Sequence, residues 1–113
     1  MSELKKHVLG IVRDIENGYK VDDPDYYDQD YQEGDILSGY DYLADVLDIE
    51  YIVTSKGEYL GARILVTFGG PNIWINTRTE TVEGYWWSDT FRASFYSDSM
   101  GIDEVCRELW ECR

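Results

Sequence analysis

Apolar residues recur at spacings of three and four through Leu4, Val8, Ile11, Val12 and Ile15, the stripe of an amphipathic helix over residues 3 to 16. Ser2 offers an N-cap oxygen and Asn17-Gly18 a C-terminal stop. The stripe then lapses. Residues 19 to 35 combine Asp-Pro, closely spaced tyrosines and acids and few aliphatics, the pattern of an ordered acidic loop or a short irregular helix. Periodicity returns at Ser38. Ser38-Gly39-Tyr40-Asp41 fits a capping box, Leu37 and Tyr42 are placed for a hydrophobic staple, and Leu43, Val46 and Leu47 give a second helix over about 39 to 47.

Beyond Ile49 the period falls to two. The β-rich runs Ile49–Thr54, Tyr59–Phe68, Asn72–Thr77, Thr81–Trp87 and Thr90–Tyr96 are separated by Ser55-Lys56-Gly57, Gly69-Gly70-Pro71, Arg78-Thr79-Glu80 and Ser88-Asp89. They predict an antiparallel meander of four or five strands. In the second run, alternation turns Leu60, Ala62, Ile64, Val66 and Phe68 toward a core and Gly61, Arg63, Leu65 and Thr67 away from it. A last helix over about 100 to 112 aligns Ile102, Val105, Cys106 and Leu109, with Asp103 and Glu104 in the first turn, where the helix dipole favours acids. The order ααβββββα segregates three helices from a consecutive sheet and predicts a single α+β domain over residues 1–113, without repeat or linker.

Charge changes the picture more than length or apolar content, which are those of an ordinary folded domain. Ten Lys and Arg against 23 Asp and Glu leave a net charge of -13, which repels phosphate and excludes a nucleic-acid groove or an acidic lipid surface as direct ligand. No stretch approaches the ~18 apolar residues of a membrane span. The opening Met1-Ser2-Glu3-Leu4-Lys5-Lys6 lacks the apolar run of a secretory signal, so a cytoplasmic chain is expected. The charge is also regional. Between Val21 and Ser55 there is no Lys or Arg, and this window carries -11 of the total; the rest of the chain is nearly balanced.

Catalytic provision is poor. His7, the single histidine, sits among exposed positions of the first helix, and apart from Ser2, read as the N-cap, any serine or cysteine it could activate is distant in sequence. Gly69-Gly70-Pro71-Asn72 reads as a hairpin turn rather than a phosphate cradle, since Pro71 removes a donor amide. Cys106 and Cys112 lack metal or redox spacing and read as one core thiol and one terminal thiol. Asp28-x-Asp30-x-Gln32 begins like a calcium loop but fails at Glu33 and Gly39, where such a loop needs Gly and Glu; clustered carboxylates leave a metal-dependent enzyme as a distant third reading. No catalytic residue, metal ligand or cofactor is assigned. Trp74, Tyr85, Trp87 and Tyr96, near Arg63 and Arg92, form a stacking platform if uncovered. With helices available for both sides of the sheet they become second-face core or a self-association surface, and the second of these alternatives would make a homodimer.

The acidic window interleaves its carboxylates with tyrosines. Asp22, Asp23, Asp25, Tyr26, Tyr27, Asp28, Asp30, Tyr31, Glu33 and Asp35 lie in the loop, and Asp41, Asp45 and Asp48 are predicted to share one face of the second helix, with ~6 Å of rise between the first two. Acids beside exposed tyrosines present negative charge together with contact area, which suits a protein that occupies a basic nucleic-acid groove. In size, charge window and lack of catalytic residues the chain resembles the small acidic proteins of phages and mobile elements that mimic DNA, including anti-restriction and anti-CRISPR inhibitors. Those proteins share no fold or signature motif, so no residue role is carried over. The resemblance implies a non-enzymatic inhibitor of a nucleic-acid-binding host protein, such as a nuclease or CRISPR effector, with those thirteen residues as the partner surface. The alternative is a non-catalytic protein-protein interaction module that uses the aromatic sheet face.

Overall fold

Five strands pair in chain order, each antiparallel to the next: β1 (Asp48–Val53), β2 (Tyr59–Thr67), β3 (Asn72–Asn76), β4 (Thr81–Trp86) and β5 (Asp89–Ser94). The structure is a computed structural model that describes residues 2–113. Ahead of the sheet come α1 (Glu3–Asn17), a 3-10 turn (Pro24–Tyr26) and α2 (Gly39–Ala44); α3 (Ile102–Glu111) follows it. The chain is an α+β domain with the predicted order of elements. Ser2 Oγ accepts the Lys5 N–H at 3.1 Å to open α1, and Gly18, at φ 93, closes it.

Directly paired residues point to the same side of a sheet. Ile49, Ile64, Ile75, Val82 and Ala93 form one row, flanked by Tyr51 with Ala62 and by Ile73 with Gly84 and Phe91. On this face Ala62, Ile64, Ile73, Ile75 and Val82 are fully buried. α1 covers β4 and β5 with Leu4, Val8, Val12 and Ile15. A Cβ on Gly84 would meet Val8 at 2.6 Å and Leu4 at 2.7 Å, so the missing side chain lets the helix settle against the strand. α3 covers β2 on the same face: the Tyr51 ring lies 5.3 Å from that of Trp110, and the Tyr59 hydroxyl donates to the Asp103 carboxylate at 2.7 Å. α2 packs on α3.

All three helices therefore occupy one side, which corrects the expectation of helices on both. The far face carries Glu50, Arg63, Leu65, Trp74, Glu83, Tyr85 and Arg92 without a helix over it. Trp87 is not part of that face; it sits in the β4–β5 hairpin turn, 94% exposed. Tyr96 lies beyond the end of β5 and is also exposed.

Simple alternation along β2 survives only in its centre. Ile52 pairs with Gly61 and Val53 with Tyr59, so Leu60 is an extra residue, and Tyr59 rather than Leu60 is buried. At the other end Leu65 pairs with Trp74 and Thr67 with Ile73, leaving Val66 extra and half-buried and Phe68 70% exposed. Each bulge inserts one residue and reverses the facing of those beyond it. In α3 Ile102, Val105 and Cys106 are buried as expected, but half-buried Trp110 packs against the core in place of Leu109, which is exposed, and the Trp110 indole N–H donates to the Gly57 carbonyl at 2.9 Å. Cys106 is buried and Cys112 exposed, and burial pushes the Cys106 thiol up to about 12. No helix among the described residues is long and apolar enough to cross a membrane.

Candidate functional site: an acidic loop over a tyrosine-walled cleft

The acidic segment is closed at its base by a short ladder. Val21 N–H donates to the Asp35 carbonyl at 2.8 Å, Gly34 N–H to Val21 at 2.9 Å and Leu37 N–H to Tyr19 at 2.9 Å. Val21 and Leu37 are buried and pin the two legs to the core. Between them the carboxylates shape their own backbone: Asp23 accepts the Asp25 N–H at 3.1 Å at the head of the 3-10 turn, and Asp35 accepts the Gln32 N–H at 2.9 Å. Asp22, Asp23, Asp25, Asp28, Asp30, Glu33 and Asp35 are all exposed.

The tyrosines divide. Tyr26 is 66% exposed, but Tyr27 and Tyr31, expected at the surface, are half-buried and pack against the core. Tyr26, Tyr27 and Tyr31 stack edge to face in sequence, with centroids 5.0 and 5.3 Å apart. Tyr31 also completes the predicted capping box in a modified form. Ser38 Oγ accepts the Asp41 N–H at 3.1 Å, while the reciprocal bond passes through a hydroxyl: Ser38 N–H donates to Tyr31 Oη at 3.0 Å, and Tyr31 Oη–H donates to Asp41 Oδ2 at 2.7 Å. Asp41 is thus a half-buried structural acceptor rather than a free surface charge.

The predicted row of Asp41, Asp45 and Asp48 on one helix face does not form. α2 ends at Ala44; Asp45 is its C-cap, and Asp48 already belongs to β1. The sheet ends the helix, because Leu47 N–H donates to the Leu65 carbonyl at 2.9 Å instead of continuing the helical pattern. Asp45 and Asp48 are exposed.

Under the loop, beside α2, lies a cleft of about 210 Å³ that the sequence reading did not anticipate. Tyr19, Tyr27 and Tyr42 wall it together with the apolar Leu37, Val46 and Val66, and Asp45, which is exposed, completes the lining. Tyr42, read from sequence as a staple partner, and Tyr19, outside the charge window, meet edge to face at 6.4 Å. Burial raises the Tyr42 hydroxyl above its ordinary range, with Asp14 and Tyr19 adding to the effect. Burial, then Tyr19, Asp45, Tyr26 and Asp41, does the same for Tyr27. Only Tyr27 and Asp45 among these lining residues belong to the predicted partner surface; the approach of Val66 follows from the β2 bulge, which no local signal announces.

On the far face of the sheet, acids and aromatics meet an internal base. Arg63 lies over the Trp74 ring at 4.1 Å, 3.3 Å from a Glu50 oxygen and 4.0 Å from a Glu83 oxygen, and Tyr85 donates to Glu83 at 3.0 Å. The predicted platform is therefore occupied by the chain's own guanidinium. Among the described residues, Glu50 is the only carboxylate of the charge window in an ion pair, and no three His, Cys, Asp or Glu side chains converge as metal ligands would. His7 is exposed on α1. No family model matches the chain, and no match emerges among curated proteins or solved structures.

Proposed function

We propose that the chain is a nucleic-acid mimic: a stoichiometric inhibitor whose acidic loop occupies the basic groove of a DNA- or RNA-handling protein, such as a nuclease or CRISPR effector. One observation carries this reading. Seven exposed carboxylates from Asp22 to Asp35 sit on a loop held by its own backbone ladder and by two half-buried tyrosine rings, without a base between them. A pre-ordered anionic surface avoids much of the ordering entropy of binding and steers association with a basic partner. The mechanism is occupancy. Inhibition saturates near one equivalent, is reversed by competing nucleic acid and slows as salt screens the charges beyond ~10 Å at 0.1 M. Titration against the host protein retained by the immobilised chain from a bacterial lysate tests it. Progressive inactivation of target at a hundredth of an equivalent would replace occupancy with catalysis.

The second reading, an interaction module acting through apolar surface, draws on Trp87. This residue is fully in solvent and holds φ 57, a left-handed conformation that favours glycine. Folding alone gains nothing from a tryptophan there. Loss of partner binding in Trp87→Gly, with charge reversal of the loop harmless, would select this reading.

A further inference from the structure

We infer that the tyrosine-walled cleft receives the guanidinium of one arginine from the partner, an inference that rests on reading the acidic loop as the partner surface. The size fits one side chain: about 210 Å³ lies below the ~300–1,000 Å³ of pockets for drug-sized ligands. The lining offers a partner for each part of an arginine side chain. Leu37, Val46 and Val66 suit the methylene stem, the tyrosine rings suit a cation's face, and Asp45 suits its N–H groups. Asp45 is exposed, accepts one long hydrogen bond from Tyr26 at 3.5 Å and is otherwise unpaired among the described residues. Its carboxylate is open to a bidentate donor.

The same chain shows what such surroundings bind. On the sheet face, aromatic and carboxylate groups hold Arg63, over Trp74 and beside Glu50. The cleft offers an equivalent combination with no Lys or Arg in its lining. A second recess, past the wall of Tyr27 and Asp45, adds Asp28 and Asp41, so the local field favours a cation. Arginine is preferred over lysine because its planar, weakly hydrated head stacks on rings and engages one carboxylate with two parallel N–H bonds. A quaternary ammonium would leave Asp45 without a hydrogen-bond donor.

The test is an NMR titration of the full chain with N-acetyl-arginine amide, N-acetyl-lysine amide and tetramethylammonium as probes. Saturable shifts should centre on the Tyr19, Tyr27 and Tyr42 rings and the Asp45 amide, with the arginine probe roughly fivefold or more tighter than the other two. Asp45→Asn should weaken the arginine probe by roughly fivefold, whereas Glu108→Gln, exposed on α3 away from the cleft, should leave it unchanged. Unsaturable shifts spread over the whole loop, or equal affinity for the lysine or ammonium probe, would overturn the assignment. The mimicry reading fails separately: it falls if charge reversal in the loop spares target binding, whatever the probe does in the cleft.

Discussion

The sheet face and the acidic loop are built from the same ingredients and reach opposite electrostatic states. On the sheet, Glu50 and Glu83 flank Arg63, which covers Trp74, so charge and ring are neutralised within the fold. In the loop, carboxylates and tyrosines are as closely interleaved, but Tyr27 and Tyr31 turn inward to anchor the backbone while the acids stay outside and unpaired. Carboxylates paired in place contribute to the stability of a fold; carboxylates crowded without a base oppose it. The contrast shows that aromatic and acidic composition alone does not mark a binding surface. What separates the two regions is whether the chain supplies its own cation.

The largest expected effect bears on the loop. Combined substitution of Asp25, Asp28, Asp30 and Glu33 by Lys should weaken target binding by roughly 100-fold or more, with an unchanged or higher thermal midpoint, because native-state repulsion is relieved. A large fall in the midpoint would make these carboxylates structural and erase the contrast. Next comes the sheet. Arg63→Ala should cost about 1–2 kcal/mol in urea denaturation, from the lost stacking and ion pairs, whereas Asp28→Asn should stay within about 0.5 kcal/mol of the parent. Equal losses would mean that both regions are internally balanced.

Tyr31→Phe sharpens the comparison inside the loop. The ring and its packing remain, but the Ser38 N–H and the Asp41 carboxylate lose the hydroxyl between them, for about 1 kcal/mol and faster amide exchange at Ser38. A further effect appears at high pH. The hydroxyls of Tyr42 and Tyr59, chiefly through burial, and of Tyr85, chiefly through its bond to Glu83, are held above the ordinary 10.0. The folded chain keeps these protons after the unfolded chain releases them, so their contribution is intact below about pH 10 and declines as pH rises further. Circular dichroism against pH should show that decline in Asp28→Asn as in the parent.

Architecture was legible where one strong period persisted. Leu4 to Ile15 described α1, and the turn residues Gly69-Gly70-Pro71 separated β2 from β3 as expected. Legibility failed where tertiary pairing competed with local pattern. The stripe Leu43, Val46 and Leu47 extended the second helix to residue 47, yet the sheet captures the Leu47 amide. Two bulges in β2 undo an alternation that looked regular, and Trp110 replaces Leu109 at the end of α3, where its indole N–H donates to the Gly57 carbonyl. At the candidate site, charge located the loop, but the inward turn of Tyr27 and Tyr31 depends on a lining made by residues distant in sequence. Val66 is the clearest example, since only the folded sheet carries it beneath the loop.

The C-terminal end of α1 sets a timetable for assembly. The Ile15 carbonyl accepts from both Ser99 N–H and Ser99 Oγ, each at 3.0 Å, while Glu16 accepts the Tyr96 N–H at 2.8 Å and its carbonyl the Ser97 hydroxyl at 3.3 Å. The strands beneath the helix, β4 and β5, also belong to the later half of the chain. On a ribosome, α1 therefore emerges with its apolar stripe uncovered and waits some 80 residues for the segment that fastens it. A nascent chain arrested before residue 95 should be readily cleaved by protease within α1, and protection should appear once residues 96–99 have cleared the exit tunnel.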